Sequence, residues 1–180
     1  MLTENPTHYP RPSWVRGPAS QAYWETEWQM VPRTDQDLFE HLCLLIFQNG
    51  LPWEVVLKKR EVLKSQFFNF EIPTVAAMTP FDCEQVMQAQ GGIRNSSKIR
   101  AVVHNARMMT EKSISLCRVL GEAIPHTILI PPHEEMPVRT AATDSVSQSL
   151  KAAGLVRVGP VVCSALAQAA GYIRWENYEN

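Results

Sequence analysis

Apolar side chains recur three and four residues apart at Leu38, Phe39, Leu42, Leu45 and Ile46, the spacing of one face of an α-helix. Thr34 suits the N-cap, Asp35 and Asp37 suit the first turn, and Asn49-Gly50 suits the stop. Pro52 opens a second helix, with Trp53, Val56, Leu57 and Leu63 on an apolar side and Lys58, Lys59 and Arg60 on the other. A short element follows at 74–78. Thr79, ahead of Pro80 and Glu84, then caps a helix that runs to about Gln90 and stops at Gly91-Gly92. After Ile93-Arg94-Asn95 a longer helix starts near Ser96 or Ser97 and carries Ile99, Val102, Val103, Ala106 and Met109. Residues 125–140 hold four prolines and read as a surface connection. Thr143-Asp144 caps a helix to Ala153, closed by Gly154, and a last helix runs from Pro160 to near Gly171. No internal repeat and no convincing strand pair emerges, so the pattern predicts an all-α fold.

Composition narrows this picture only slightly. With 180 residues and 45% apolar content the chain can bury a sizeable core, and one domain is expected over 21–180. Residues 1–20, with Pro6, Pro10, Pro12 and Pro18, read as an extended arm anchored by Trp14. A net charge of −1 excludes recognition of nucleic acid by bulk charge and leaves room for a local basic patch. The four cysteines form no CxxC pair and sit among apolar neighbours, which points to reduced thiols and a cytoplasmic protein. No run of about 18 apolar residues occurs, so no membrane contact is expected.

Two constellations could carry chemistry. The stretch Glu84 to Lys98 reads as helix, glycine hairpin, helix. Gly91, Gly92, Ile93, Arg94, Asn95 and Lys98 would then present backbone N–H groups and positive charge to a phosphate; the alternative is an ordinary helix–helix turn with solvated cations. The second is aromatic: Trp14, Tyr23, Trp24, Trp28 and Trp53 lie within 40 residues, interleaved with Glu25 and Glu27. Such rings either wall a slot for a planar base or pack a core. The five histidines have no Cys or His partner at ligand spacing.

Taken in order, these residues resemble the DNA-3-methyladenine glycosylase I family, within the helix-hairpin-helix DNA glycosylases. Its Y-H-D-x-E-W-G appears as Tyr23 to Gln29. Its D-x-x-L-F-E-x-L-x-L-E-x-x-Q-A-G-L-S-W-x-x-V-L-x-K-R-E appears from Asp35 to Glu61, and its G-I-I-R-N-R-x-K-I from Gly91 to Ile99, with Ser96 in place of an arginine. Ser147 to Gly159 and Gln168 to Gly171 match the closing motifs. The resemblance implies a helix-hairpin-helix glycosylase fold with the hairpin at about 80–100. It implies double-stranded DNA with a damaged base as partner, a monomer, and excision of a flipped, alkylated purine in base-excision repair. The base pocket would comprise Trp14, Tyr23, Glu27, Leu45, Gln48 and Trp53.

Two departures stand out. Family members bind the base edge with a glutamate where this chain has Leu45, which leaves the catalytic residue unknown. They also hold a zinc ion between the two ends of the chain. The corresponding positions here are Pro12, Trp24 and about Glu176, with no cysteine after Cys163, so no metal and no cofactor is expected, and apolar contact such as Trp24 against Trp175 would replace the metal. Two rival readings follow: a non-catalytic relative that binds DNA or a modified base, and a pocket reused for a small planar ligand or a protein partner.

Overall fold

The helix carrying Leu38 to Ile46, α2 (Asp35–Gln48), is buried nearly all round: Leu38, Phe39, His41 and Leu42 through Phe47 are all inside. A helix apolar on every side belongs at the centre of its fold, and the others gather around it in the computed structural model, which describes residues 9–177. α1 (Pro18–Thr26) lies on α3 (Trp53–Lys58), and α4 (Arg60–Gln66) leads through a 3-10 turn at Phe68–Phe70 into α5 (Ile72–Ala76). The hairpin pair is α6 (Pro80–Gln88) and α7 (Ser96–Glu111), followed by α8 (Leu116–Ala123), α9 (Ala141–Ala152) and α10 (Pro160–Ala169). The architecture is helical, as the periodicity predicts.

Four local expectations change. A short parallel strand pair does exist: β1 (Ile128–Ile130) lies in register with β2 (Ile173–Trp175), Ile128 opposite Ile173. Three-residue strands separated by more than 40 residues carry too little period to read from sequence. The cap of α9 is Thr140, whose hydroxyl accepts from Thr143 N at 3.1 Å, so Thr143 sits three residues inside the helix. The helix after Pro52 breaks at Lys59 into α3 and α4, and α8, capped by Ser115, has no counterpart in the sequence pattern. The expected arm of residues 1–20 lies outside the described residues as far as residue 8, turns at Pro12–Val15 and has become helical by Pro18.

Several polar contacts lock these pieces. The Glu54 carboxylate on α3 accepts from Ser20 N at 2.7 Å and Ser20 Oγ at 2.8 Å, capping α1 from outside. A Cβ at Gly17 would meet that carboxyl group at 2.5 Å, which explains a glycine there. The chain ends are joined by aromatic rings. Trp175 stacks on Tyr9 with centroids 5.0 Å apart and meets Trp28 edge-on at 5.4 Å, while Tyr9 Oη donates to Glu176 O at 3.0 Å. Among the described residues no group of His, Cys, Asp and Glu side chains could hold a metal ion. At the family's zinc positions Pro12 and Trp24 offer no side-chain ligand, so the described residues do not fit that site. No helix of the described residues is long and apolar enough to cross a membrane.

Candidate functional site

The aromatic residues do line a cleft. Trp14, Tyr23, Trp28 and Trp53 surround about 100 Å³ of space together with His41, Leu45 and Gln48 from α2 and Ala165, Gln168 and Ala169 from α10. Helical spacing explains the α2 wall: positions 41, 45 and 48 fall on one face. Tyr23 faces the cleft because Glu54 fixes the first turn of α1, and Trp53 because Pro52 starts α3 beside it. Tyr23 and Trp53 meet at 78°, with centroids 5.4 Å apart. They form a corner, so a planar ring would lie flat on one while the edge of the other bounds it. Burial, and then the Glu27 charge, push the Tyr23 phenol well above its ordinary value, so it stays protonated at neutral pH.

Glu27 stands behind the wall. Its oxygens accept from Arg60 Nη1 at 2.7 Å and Nη2 at 2.9 Å. Arg60 also donates to Glu40 Oε1 from Nε at 3.0 Å and Nη2 at 2.8 Å, and Lys64 lies 3.7 Å from Glu40. Burial alone would raise the Glu27 pKa, but its contacts with His41 and Arg60 outweigh that and hold it at about 2. Glu27 Oε1 is also 3.3 Å from His41 Nε2, out of line for a hydrogen bond. Gln48 Nε2 donates to Leu51 O at 3.1 Å, which ties it to the turn after α2. Gln168 Nε2 donates to Pro137 O at 2.9 Å and leaves the amide oxygen as an acceptor on the α10 side.

The hairpin is held from within. Gly91 takes φ +83° and its carbonyl accepts from Lys59 Nζ at 2.6 Å. A Cβ at Gly92 would meet the Gln66 amide at 2.6 Å. Ile93 is buried in the core, and Asn95 caps α7 by accepting from Lys98 N at 3.1 Å. Arg94, Ser96, Ser97 and Arg100 face outward. Lys98 does not. It is buried, and its ammonium donates to Phe47 O at 2.7 Å and to Asn49 O, the last carbonyls of α2. Burial, and then the Arg157 charge, lower its pKa. The phosphate role expected for Lys98 therefore gives way to a helix-capping one.

Sequence reasoning missed Arg157, which takes up a place beside the hairpin. Its guanidinium donates to Ser97 Oγ at 2.7 Å, beside the N-terminus of α7. Asn105 on α7 fixes the loop that presents it, donating to Val156 O at 3.0 Å and accepting from Val156 N at 2.8 Å. Sequence reasoning also missed His41, which it weighed only with the other histidines as a metal ligand. Among the expected pocket residues, Trp14, Tyr23, Leu45, Gln48 and Trp53 meet in the cleft and Glu27 does not.

The geometry is that of an aromatic cleft beside a cation-bearing hairpin, and the chain is similar to known proteins in sequence and fold. The family model for methyladenine glycosylase matches residues 14–177. DNA-3-methyladenine glycosylase 1 of Escherichia coli (strain K12) is 36% identical over 171 residues, 91% of each chain. DNA-3-methyladenine glycosylase of Haemophilus influenzae is 32% identical over 157 residues, covering 84% of this chain and 85% of that one. A crystal structure of 3-methyladenine DNA glycosylase I superimposes with a TM-score of 0.81 at 32% identity, covering 91% of this chain and 94% of that one.

Proposed function

The chain belongs to the methyladenine glycosylase family, and on that footing we propose that it recognises an alkylated purine flipped from duplex DNA and hydrolyses the bond between base and sugar. The observation that carries this reading is the aromatic cleft at the end of α2, placed beside the helix-hairpin-helix by the Lys98 bonds to Phe47 and Asn49. Unstacking a base costs a few kcal/mol, least when it is damaged. Tyr23 and Trp53 return part of that cost by stacking and edge contact, and the exposed Arg94 and Arg100, with Arg157, attract the backbone. An alkylated adenine bears positive charge and leaves readily, so the cleft has to hold it and admit water to the sugar. The enzyme would act as a monomer, and its four unpaired cysteines fit a reducing, cytoplasmic setting.

A second reading, a binder of modified bases without turnover, is favoured by one observation: among the described residues no carboxylate lines the cleft. Incubation with methylated duplex DNA, followed by assay for free 3-methyladenine and abasic sites, separates the two. Release above the buffer control is expected. Salt-sensitive binding of the same duplex without release, unchanged by Leu45→Glu, would favour the binder.

A further inference from the structure

The polar groups of the cleft are few, and most are already engaged. The Nε2 groups of Gln48 and Gln168 are tied to backbone carbonyls, and the remaining wall is aromatic or aliphatic apart from the Tyr23 phenol and His41. His41 is 3% exposed, and its Nε2 is sealed from solvent without a hydrogen-bond partner. Nδ1 is not among the sealed atoms. The ring lies one helical turn before Leu45, in the wall of a cavity, with the Glu27 carboxylate 3.3 Å behind Nε2.

We propose that His41, positioned by Glu27, reads the edge of the base in this cleft. The inference rests on the reading that the cleft receives an alkylated purine, and it assigns recognition to a residue other than position 45. Ionised Glu27 draws the Nε2–H toward Oε1, which fixes the tautomer and leaves the Nδ1 lone pair as an acceptor for an N–H on the purine edge. The carboxylate charge, one ring away, also favours a cationic purine over its neutral parent. Leu45 can do neither. Tyr23 lies against the imidazole at 5.9 Å with 27° between the planes and limits its tilt. Arg60 and Glu40 act at one further remove, by holding Glu27 in place. Glu27 is therefore a positioning residue, and His41 is the one that touches the base.

The test compares the intact protein with His41→Leu, His41→Gln and Glu27→Gln. Three quantities are read: release of 3-methyladenine from methylated duplex, affinity for free 3-methyladenine by tryptophan fluorescence, and the imidazole ¹⁵N signals during titration with the free base. His41→Leu should lower release and affinity about tenfold or more, as expected when a base N–H is left unpaired. His41→Gln, whose amide oxygen restores an acceptor, should stay within about threefold of the parent. In the parent the Nδ1 signal should shift on titration, and in Glu27→Gln that shift should shrink, which a purely structural role for Glu27 would not produce. If His41→Leu fails to fold, His41→Gln and the ¹⁵N titration decide. A parent that releases 3-methyladenine at a rate unchanged in His41→Leu overturns the role of His41 and leaves the glycosylase reading standing. A parent that neither releases nor binds the base overturns the glycosylase reading and this inference together.

Discussion

Replacing Arg60 with methionine keeps an apolar stem and removes the guanidinium that lies between Glu27 and Glu40. The side chain is 20% exposed and makes four hydrogen bonds of 2.7–3.0 Å to the two carboxylates. Without it, two partly desolvated carboxylates are left without their shared cation. A Glu27 carboxyl held at about 2 instead of its ordinary 4.5 corresponds to about 3 kcal/mol of stability at neutral pH. Solvent reaches about a third of that side chain, and screening, with the share that His41 carries, reduces the part lost with Arg60 to about 1–2 kcal/mol. With Glu40 also deprived of Arg60, a loss of about 2–3 kcal/mol is expected, a fall in Tm of about 5–10 °C for a chain of this length. Urea unfolding followed by circular dichroism measures it.

The pH dependence of the same loss has a definite sign. Folding depresses the Glu27 pKa, so its contribution is complete above about 4.5 and disappears as pH falls through about 2. The parent loses that increment across this window, and Arg60→Met, which keeps only the share from His41, has less of it to lose. The stability gap between them should therefore narrow on acidification. A variant melting within about 1 °C of the parent, or a gap as wide at about pH 2.5 as at about pH 6, would refute the account.

Three further outcomes follow from other contacts. Lys98→Met strands the carbonyls of Phe47 and Asn49 and should cost about 1–3 kcal/mol in urea unfolding, while the salt dependence of DNA binding keeps its slope. Arg94→Ala and Arg157→Ala should do the reverse, each reducing the slope of log K against log salt by about 1 with little change in Tm; an unchanged slope for Arg157→Ala removes it from the interface. Gln29 takes φ +70° and buries an amide with neither atom paired, at a position where the family motif has glycine. Gln29→Gly should therefore raise stability by about 1 kcal/mol, and a lower Tm would show that the amide is worth more than its strain.

What the sequence made legible was local. Thr34 and Thr79 cap their helices, and Gly50 at φ +81° ends α2, because caps and left-handed glycines depend on neighbours within four residues. The cleft residues Trp14, Tyr23, Leu45, Gln48 and Trp53 were legible through family resemblance, since spacing alone left slot and core packing equally open. Inter-element contacts were not legible. Lys98 carries the same charge whether it faces solvent or the end of α2, and only packing across 51 residues selects the inward position. Arg157 reaches Ser97 across 60 residues through a loop that Asn105 holds. His41 lies on a helix buried all round, where period gives no hint of which side meets a cavity.

The Lys98 bond to α2 has a mechanical consequence. The same helix that ends on the ammonium carries Leu45 and Gln48 in the cleft wall, and the helix that supplies the ammonium begins at the hairpin. The spacing between hairpin and cleft is thereby braced by a short strut instead of left to a hinge. Under load, a strut of this kind leaves the compliance to the other body. If a duplex is to place a nucleotide in the slot while its phosphates rest on the hairpin, the duplex must bend to the protein, and sequences or lesions that soften the helix should be engaged first.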